Sequence, residues 1–248
     1  MPDRLAIVMP VFNEAEQLPL RMLQLRQTIG PLVAVYAVDG GSTDDSLSIL
    51  NKLSAEDSAL HVQVSAKGRA QQMNCGAKAA LDSGATCLLF LHADTTLPQQ
   101  AWSEFLNVLT RMSSSQTFWG RFNVRIEGRS AWLPVVAWMM NQRSRLTRIA
   151  TGDQGMFMHR DLFRRVGGFV NQPLMEDIEM SRTLKRQRDA QFIPIKQPLT
   201  TSGRRWDEQG AWSTIVLMWR LRFQYWRGES ADTLLARYRD VRSRKRPE

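Results

Sequence analysis

Four short apolar runs, separated by helical stretches, constrain the fold of this chain more than any other feature. Leu5 to Val11, Val33 to Asp39, His61 to Ser65 and Cys87 to His92 read as strands. Between them, residues from about Glu14 to Thr28, Thr43 to Leu53 and Arg69 to Leu81 are rich in Leu, Ala, Gln and Lys and poor in Gly and Pro, as helices are. Strands such as VAVYAVD and CLLFLHAD are apolar on both faces. A sheet hides such strands when helices cover both of its sides, and there neighbouring strands run parallel with right-handed crossovers. The expected class is α/β: a Rossmann-like, mostly parallel sheet flanked by helices, holding ligands at the C-terminal ends of its strands.

Beyond Pro98 the simple alternation ends. A helix to about Met112, a strand from Phe118 to Ile126 and a Trp-containing helical stretch from Ala131 to Leu146 are expected, then the segment Gly152 to Met158, a short helix ending at Gly167-Gly168 and a helix from about Asp177 to Arg188. From Gly203 onward the pattern is helical and basic. A chain of 248 residues buries one good core, so the division expected is a main domain of residues 1–207 and a basic helical extension of residues 208–248. With 43% hydrophobic and 23% charged residues, neither a disordered nor a fibrous chain is indicated.

The net charge of +9 asks for an anionic partner, and nucleic acid, an anionic membrane surface and a phosphorylated substrate all qualify. Cys75 and Cys87 are too few for a disulfide framework or a cysteine metal site, which fits a reducing compartment. The apolar run before Asn13 and Glu14 is shorter than the core of a signal peptide, and segments such as Ala131 to Met140 fall short of the roughly 20 residues that span a bilayer. A cytoplasmic protein is expected.

Three carboxylates stand where these elements begin or end. Asp39 closes an apolar strand before Gly40-Gly41, where a tight turn and a close ligand approach are both feasible, and Ser42 or Thr43 stands ready to cap the next helix. Asp39 there either accepts hydrogen bonds from a base or ribose or only caps the turn. Asp94 closes LLFLHAD beside His92, a pair suited to a hard cation that neutralises a diphosphate. Glu176 and Asp177 open a helix, where the dipole favours acids and where a general base would be held rigidly. Lys67 and Arg69 precede the third helix, either as a solvated pair or as cations for a nucleotide.

In order along the chain, PVFNE at Pro10 to Glu14, VDGGSTDDS at Val38 to Ser46, GRAQQMNCGA at Gly68 to Ala77, HAD at His92 to Asp94, GDQGMFM from Gly152, and GGF followed by MEDIEM resemble the family 2 glycosyltransferases over most of residues 5 to 206. The resemblance implies a GT-A type catalytic domain and an inverting, hexosyltransferase-type transfer from a nucleotide-diphosphate sugar. It implies substrate-binding roles for Pro10, Val11, Glu14, Asp39 (at the base), Lys67, Arg69, Asp94 and Asp153. It further implies Asp94 with His92 as ligands of Mn²⁺ or Mg²⁺, and Asp177 with Glu176 as the catalytic pair, Asp177 being the base. Arg205 and Trp206 resemble the family's arginine-tryptophan motif near donor and acceptor. The chain departs from the family in having His92 where an aspartate often begins the metal motif, and Gly40 where a second aspartate often contacts the ribose.

Trp212, Trp219 and Trp226 recur at heptad spacing near one stripe with Ile215, Val216 and Phe223. Such a stripe either packs on the main domain or lies in a membrane interface with Arg220, Arg222 and Arg227 at the headgroups, on the inner face of the cell membrane. The basic cluster from Arg237 to Arg246 fits anionic lipid as well. The acceptor is then lipid-linked, and otherwise a small molecule. Two other functions are set against the transferase. A nucleic-acid-binding protein would carry a recognisable binding motif, and none is seen; a sugar-nucleotide nucleotidyltransferase would carry a glycine-rich basic loop where PVFNE stands.

Overall fold

The structure, a computed structural model, describes residues 5–112, 116–203 and 211–243. Its first half follows the βαβ expectation: β1 (Leu5–Val11), α1 (Leu18–Ile29), β2 (Ala34–Asp39), α2 (Ser46–Glu56), β3 (Leu60–Val64), α3 (Arg69–Asp82) and β4 (Cys87–Phe90). The strands β3-β2-β1-β4 lie side by side and all run parallel. Alternation sorts the side chains. Ile7, Met9, Val35, Ala37 and Leu89 join Leu18, Met22 and Leu25 of α1 on one face, while Ala6, Val8, Tyr36, Leu88 and Phe90 join Ala70, Met73 and Ala77 of α3 on the other.

The second half departs from a purely parallel sheet. After β5 (Thr95–Thr96), α4 (Gln99–Arg111), β6 (Phe118–Glu127) and α5 (Leu133–Thr147), a 3-10 turn at Gly152–Gln154 leads into β7 (Met156–His159). Strand β7 runs antiparallel to both β4 and β6. Helices α6 (Arg160–Val166) and α7 (Glu176–Arg186) precede β8 (Gln191–Ser202), which pairs parallel with β6 and antiparallel with β5. The sheet is therefore mixed, in the order β3-β2-β1-β4-β7-β6-β8-β5. Strand β8 goes unread in the sequence because Pro194 and Pro198 demote it. The sheet accommodates them with a register shift, so that Phe122 pairs with Ile195 and the next residue, Asn123, with Pro198.

Two helices start later than their sequence pattern. Residues 13–17 form a loop, since Asn13 has a left-handed φ of 54° and the backbone N–H groups of Asn13, Glu14 and Ala15 donate to Ser42 Oγ, Ser46 Oγ and Asp44 Oδ2. Ser42 and Thr43 consequently bond Asn13 and do not cap α2. The interlock joins the PVFNE and DGGSTDD loops into one unit.

Helices α8 (Ala211–Trp226) and α9 (Ala231–Ser243) follow. Leu221 of α8 and Leu234 of α9 are buried with Met175 and Ile178 at the start of α7. The Tyr225 hydroxyl donates to Glu179 at 3.1 Å, and Arg182 lies 5.0 Å above the Tyr225 ring. This corrects the packing reading of the Trp stripe: Val216, Trp219, Phe223 and Trp226 are exposed, Trp219 at 64% and Trp226 at 71%. It also corrects Arg222, which is partly buried with its Nε out of reach of water. The side chains of Trp212 and Ile215, and within the basic cluster the side chains of residues 239–243 and the whole of residues 244–246, lie outside what is described.

Candidate active site

A pocket of about 270 Å³ opens where β1 and β4 end, lined by Pro10, Val11, Phe12, Glu14, Lys67, Gly68, Arg69, Gln72, His92, Ala93 and Asp94. Seven residues singled out in the sequence thus converge: Pro10, Val11, Glu14, Lys67, Arg69, His92 and Asp94. The parallel register explains it, since Val11 pairs with Asp39 and Val8 with Phe90, bringing the strand ends to one level.

Gln72 and Phe12 are lining residues that sequence reasoning passed over. Gln72, buried in the first turn of α3, donates from Nε2 to the carbonyls of Val11 (2.7 Å) and Val38 (2.8 Å), stapling β1 to β2. A Cβ on Gly40 would sit 2.8 Å from Gln72 Cδ, so glycine at 40 permits the staple. Lys67 Nζ rests 4.0 Å above the Phe12 ring, a cation-π contact that draws the ammonium over the pocket wall.

Asp39 is buried at the end of β2 and is not among the residues that line this pocket. Its Oδ2 accepts the N–H groups of Gly41 (2.8 Å) and Ser42 (2.9 Å), while Oδ1 is buried without a hydrogen-bond partner. Turn formation therefore occupies one oxygen and leaves the other unsatisfied.

Glu176 and Asp177 enter from α7. Asp177 Oδ2 accepts the Gly152 N–H at 2.8 Å and Oδ1 the Ile178 N–H at 2.7 Å. Buried Ser181, one turn on, accepts the Ala150 N–H and donates to the Asp177 carbonyl, fixing α7 against the 150–152 segment. His92 also packs there: a Cβ on Gly152 would lie 2.3 Å from its Cε1, and Nδ1 faces Asp153 at 3.6 Å. Glu176 is buried, and its Oε1 lies 4.0 Å from Arg69 Nη1. Burial, and then the Asp177 charge, push the Glu176 carboxyl above its ordinary range, against the pull of Arg69.

Arg69 ties the halves together. Burial lowers its pKa, but the charges of Glu176, Asp153, Asp177 and Asp94 more than offset this and the guanidinium is held above its ordinary value. With its side chain half-exposed, water screens much of that attraction. Arg205 and Trp206 lie outside the described residues. Among the described residues, no three His, Cys, Asp or Glu side chains gather into a metal cage. Asp94, whose Oδ1 accepts from Thr95 Oγ1 at 3.3 Å, is a carboxylate open to the pocket. That set fits a divalent cation which takes one or two carboxylates and fills its shell with phosphate oxygens and water.

Comparison with solved structures finds the same architecture. S. aureus TarS residues 1–349 matches with a TM-score of 0.62 at 15% identity, over 81% of this chain and 60% of that one. TarS in complex with UDP-GlcNAc matches with the same score and identity, over 81% and 59%. A mannosyltransferase from Pyrobaculum calidifontis in complex with GDP-Man and Mn²⁺ matches with a TM-score of 0.62 at 19% identity, over 89% of this chain and 60% of that one. The chain thus spans about 60% of the length of these structures, and the likeness is one of fold, that of the GT-A glycosyltransferases. No curated protein matches. The family model described as Glycosyl transferase family 2 matches residues 6–167. Covering more than half of the chain in sequence, and supported by the fold, that match shows that the chain belongs to glycosyl transferase family 2.

Proposed function

We propose that this protein transfers a hexose, with inversion, from a nucleotide-diphosphate sugar to an acceptor oxygen. The observation that carries the reading is Arg69, which lines the strand-end pocket and at the same time reaches the Glu176 and Asp177 pair of α7. Lys67 and Arg69 would meet the diphosphate, whose leaving oxygen gains negative charge as the glycosidic bond breaks. Asp39 would accept from the base through its unsatisfied oxygen, with Pro10, Val11 and Glu14 at the nucleoside. Asp177 would take the acceptor proton, its carboxylate aimed by two backbone N–H groups. Glu176 and Asp153 would set the charge around Arg69, and Arg205 and Trp206 would stand near the diphosphate.

Asp94 would hold Mn²⁺ or Mg²⁺, which when bound supplies positive charge to the leaving diphosphate. His92, turned toward Gly152 and Asp153, would buttress that corner and act as a second ligand only after rotating. The complexes of the Pyrobaculum enzyme with GDP-Man and Mn²⁺ and of TarS with UDP-GlcNAc support donor and cation alike.

Calorimetric titration with UDP-sugars and GDP-sugars, with and without Mn²⁺, tests the reading. Metal-dependent binding of one series is expected, and no binding of either would overturn it. Asp177→Asn should lower transfer by about 10²- to 10⁴-fold while leaving donor affinity intact. Equal loss of both would assign Asp177 a structural role.

The division into a catalytic unit of residues 1–207 and a helical extension of residues 208–248 belongs to this proposal, as does contact of that extension with an anionic membrane. Exposed Val216, Trp219, Phe223 and Trp226, with Arg220 and Arg227 beside them, support an interfacial face. No helix among the described residues is long and apolar enough to cross a membrane. Flotation with phosphatidylglycerol vesicles should capture the protein and lose it in the Trp219→Ser/Trp226→Ser variant; equal flotation of both would remove the membrane from the proposal.

A further inference from the structure

Arg143 of α5 and Arg222 of α8 come from helices outside the strand-end pocket, yet both feel the Asp177 charge, and Arg143 feels that of Arg222. Three of their nitrogens lack a partner. Arg143 Nε and Nη2 and Arg222 Nε are buried with no hydrogen-bond partner, and among the described residues no carboxylate forms an ion pair with either guanidinium. Asp177 accepts the backbone N–H groups of Gly152 and Ile178 and forms no ion pair with either arginine. Burial, and then the Arg222 charge, push Arg143 down to about 10; burial lowers Arg222 against the pull of Asp177 and Asp153.

The neighbouring Arg121 shows what a satisfied buried arginine looks like in this fold. Its Nε donates to Ser144 Oγ at 3.0 Å, its Nη2 to the Asn141 carbonyl at 3.3 Å, and its Nη1 to Asn123 Oδ1. Among the described residues, Arg143 and Arg222 have no such set. Two like charges kept together with unmet N–H donors destabilise a fold, so their arrangement is that of a site whose ligand supplies the acceptors.

We propose that Arg143 and Arg222 form a subsite for a phosphate group carried by the acceptor, placed so that the acceptor's reactive oxygen reaches Asp177. The proposal rests on the transferase reading above and names the substrate class that this reading leaves open. Two guanidinium groups match the charge of a phosphate monoester, and planar N–H forks match its tetrahedral oxygens. The donor diphosphate has its own cations, Lys67 and Arg69, in the lining of the strand-end pocket.

Inorganic phosphate is the first probe, titrated into the full chain by calorimetry with and without saturating UDP or GDP. Saturable binding is expected, weakened at least about tenfold in Arg143→Gln and in Arg222→Gln, with nucleotide affinity kept in both variants. Thermal unfolding guards against misfolding: with no anion present, both variants should melt at or above the wild-type temperature, because each removes an unpaired buried charge. Phosphate binding indifferent to both substitutions would overturn the subsite, as would displacement of phosphate by the nucleotide, which would return the arginines to the donor. Retained nucleotide binding in that event leaves the transferase reading standing, whereas its absence from the wild type defeats that reading itself. Glycerol 3-phosphate and phosphatidic acid vesicles then separate the sources. Arginine-dependent binding of the first assigns a soluble phosphorylated acceptor, and of the second alone a lipid headgroup; dependence in neither overturns the proposal.

Discussion

Gln72 offers the sharpest test of how the fold builds the pocket. Its Nε2 donates to the Val11 and Val38 carbonyls at 2.7 and 2.8 Å from a buried position, so Gln72→Leu deletes two hydrogen bonds with little change in volume. The Val11 carbonyl also accepts the Gly40 N–H at 2.9 Å and is not left bare. Each loss is then the net value of one hydrogen bond, about 1 kcal/mol, or about 2 kcal/mol in all. In a chain of this size a kilocalorie moves the melting temperature by roughly 2 to 4 °C, so a drop of about 4 to 8 °C is expected by differential scanning calorimetry. Gln72→Glu preserves the shape but sets a second oxygen against the two carbonyls, and should cost at least as much. Nucleotide affinity should fall with stability in both variants, because Val11 and Gln72 line the same pocket wall. A Gln72→Leu protein melting within about 1 °C of wild type, or a Gln72→Glu protein more stable than Gln72→Leu, would refute the staple.

Three further outcomes follow from neighbouring geometry. Gly40→Ala should destabilise the protein by driving a Cβ to 2.8 Å from Gln72 Cδ, and should be nearly neutral in a Gln72→Ala background; additive losses in the double mutant would show that Gln72 is not the obstacle. Burial, and then Asp177, hold the Glu176 carboxyl above its ordinary value of 4.5, so the native state keeps a proton that the unfolded chain releases, and stability is lost as pH rises from about 4.5 through the folded pKa. Urea denaturation should therefore show Glu176→Gln gaining on wild type as pH rises above about 4.5, and a gap that closes as pH rises would mean that pairing with Arg69 prevails. Burial raises the Cys87 thiol far above its ordinary value, whereas Cys75 is only partly buried, so one thiol should react with a maleimide in the native protein and two after unfolding.

The strands β1, β2 and β4 are legible in the sequence because their side chains are apolar on both faces, which few arrangements other than a helix-covered sheet can hide. Their C-terminal ends then place Asp39 and Asp94 without further information. The remainder of the site depends on contacts that no local pattern encodes. Asp177 is aimed by the N–H of Gly152, 25 residues away, and Ser181 docks α7 on Ala150 beside that bond. Strand β8 was hidden by prolines that its register shift absorbs. In α8 the tryptophans Trp219 and Trp226 mark the exposed face, and other residues make the inward one. Leu217, Met218, Leu221 and Tyr225 pack inward at helical spacing, and Arg222, three residues before Tyr225 and four after Met218, shares that face. A signal for Arg222 was therefore present in the sequence, carried by its aliphatic and aromatic neighbours. The same spacing that turns Trp219 and Trp226 outward turns Arg222 inward, where it feels the charge of Asp177, so a helix read first for what it shows to solvent matters equally for the charge it brings to the site.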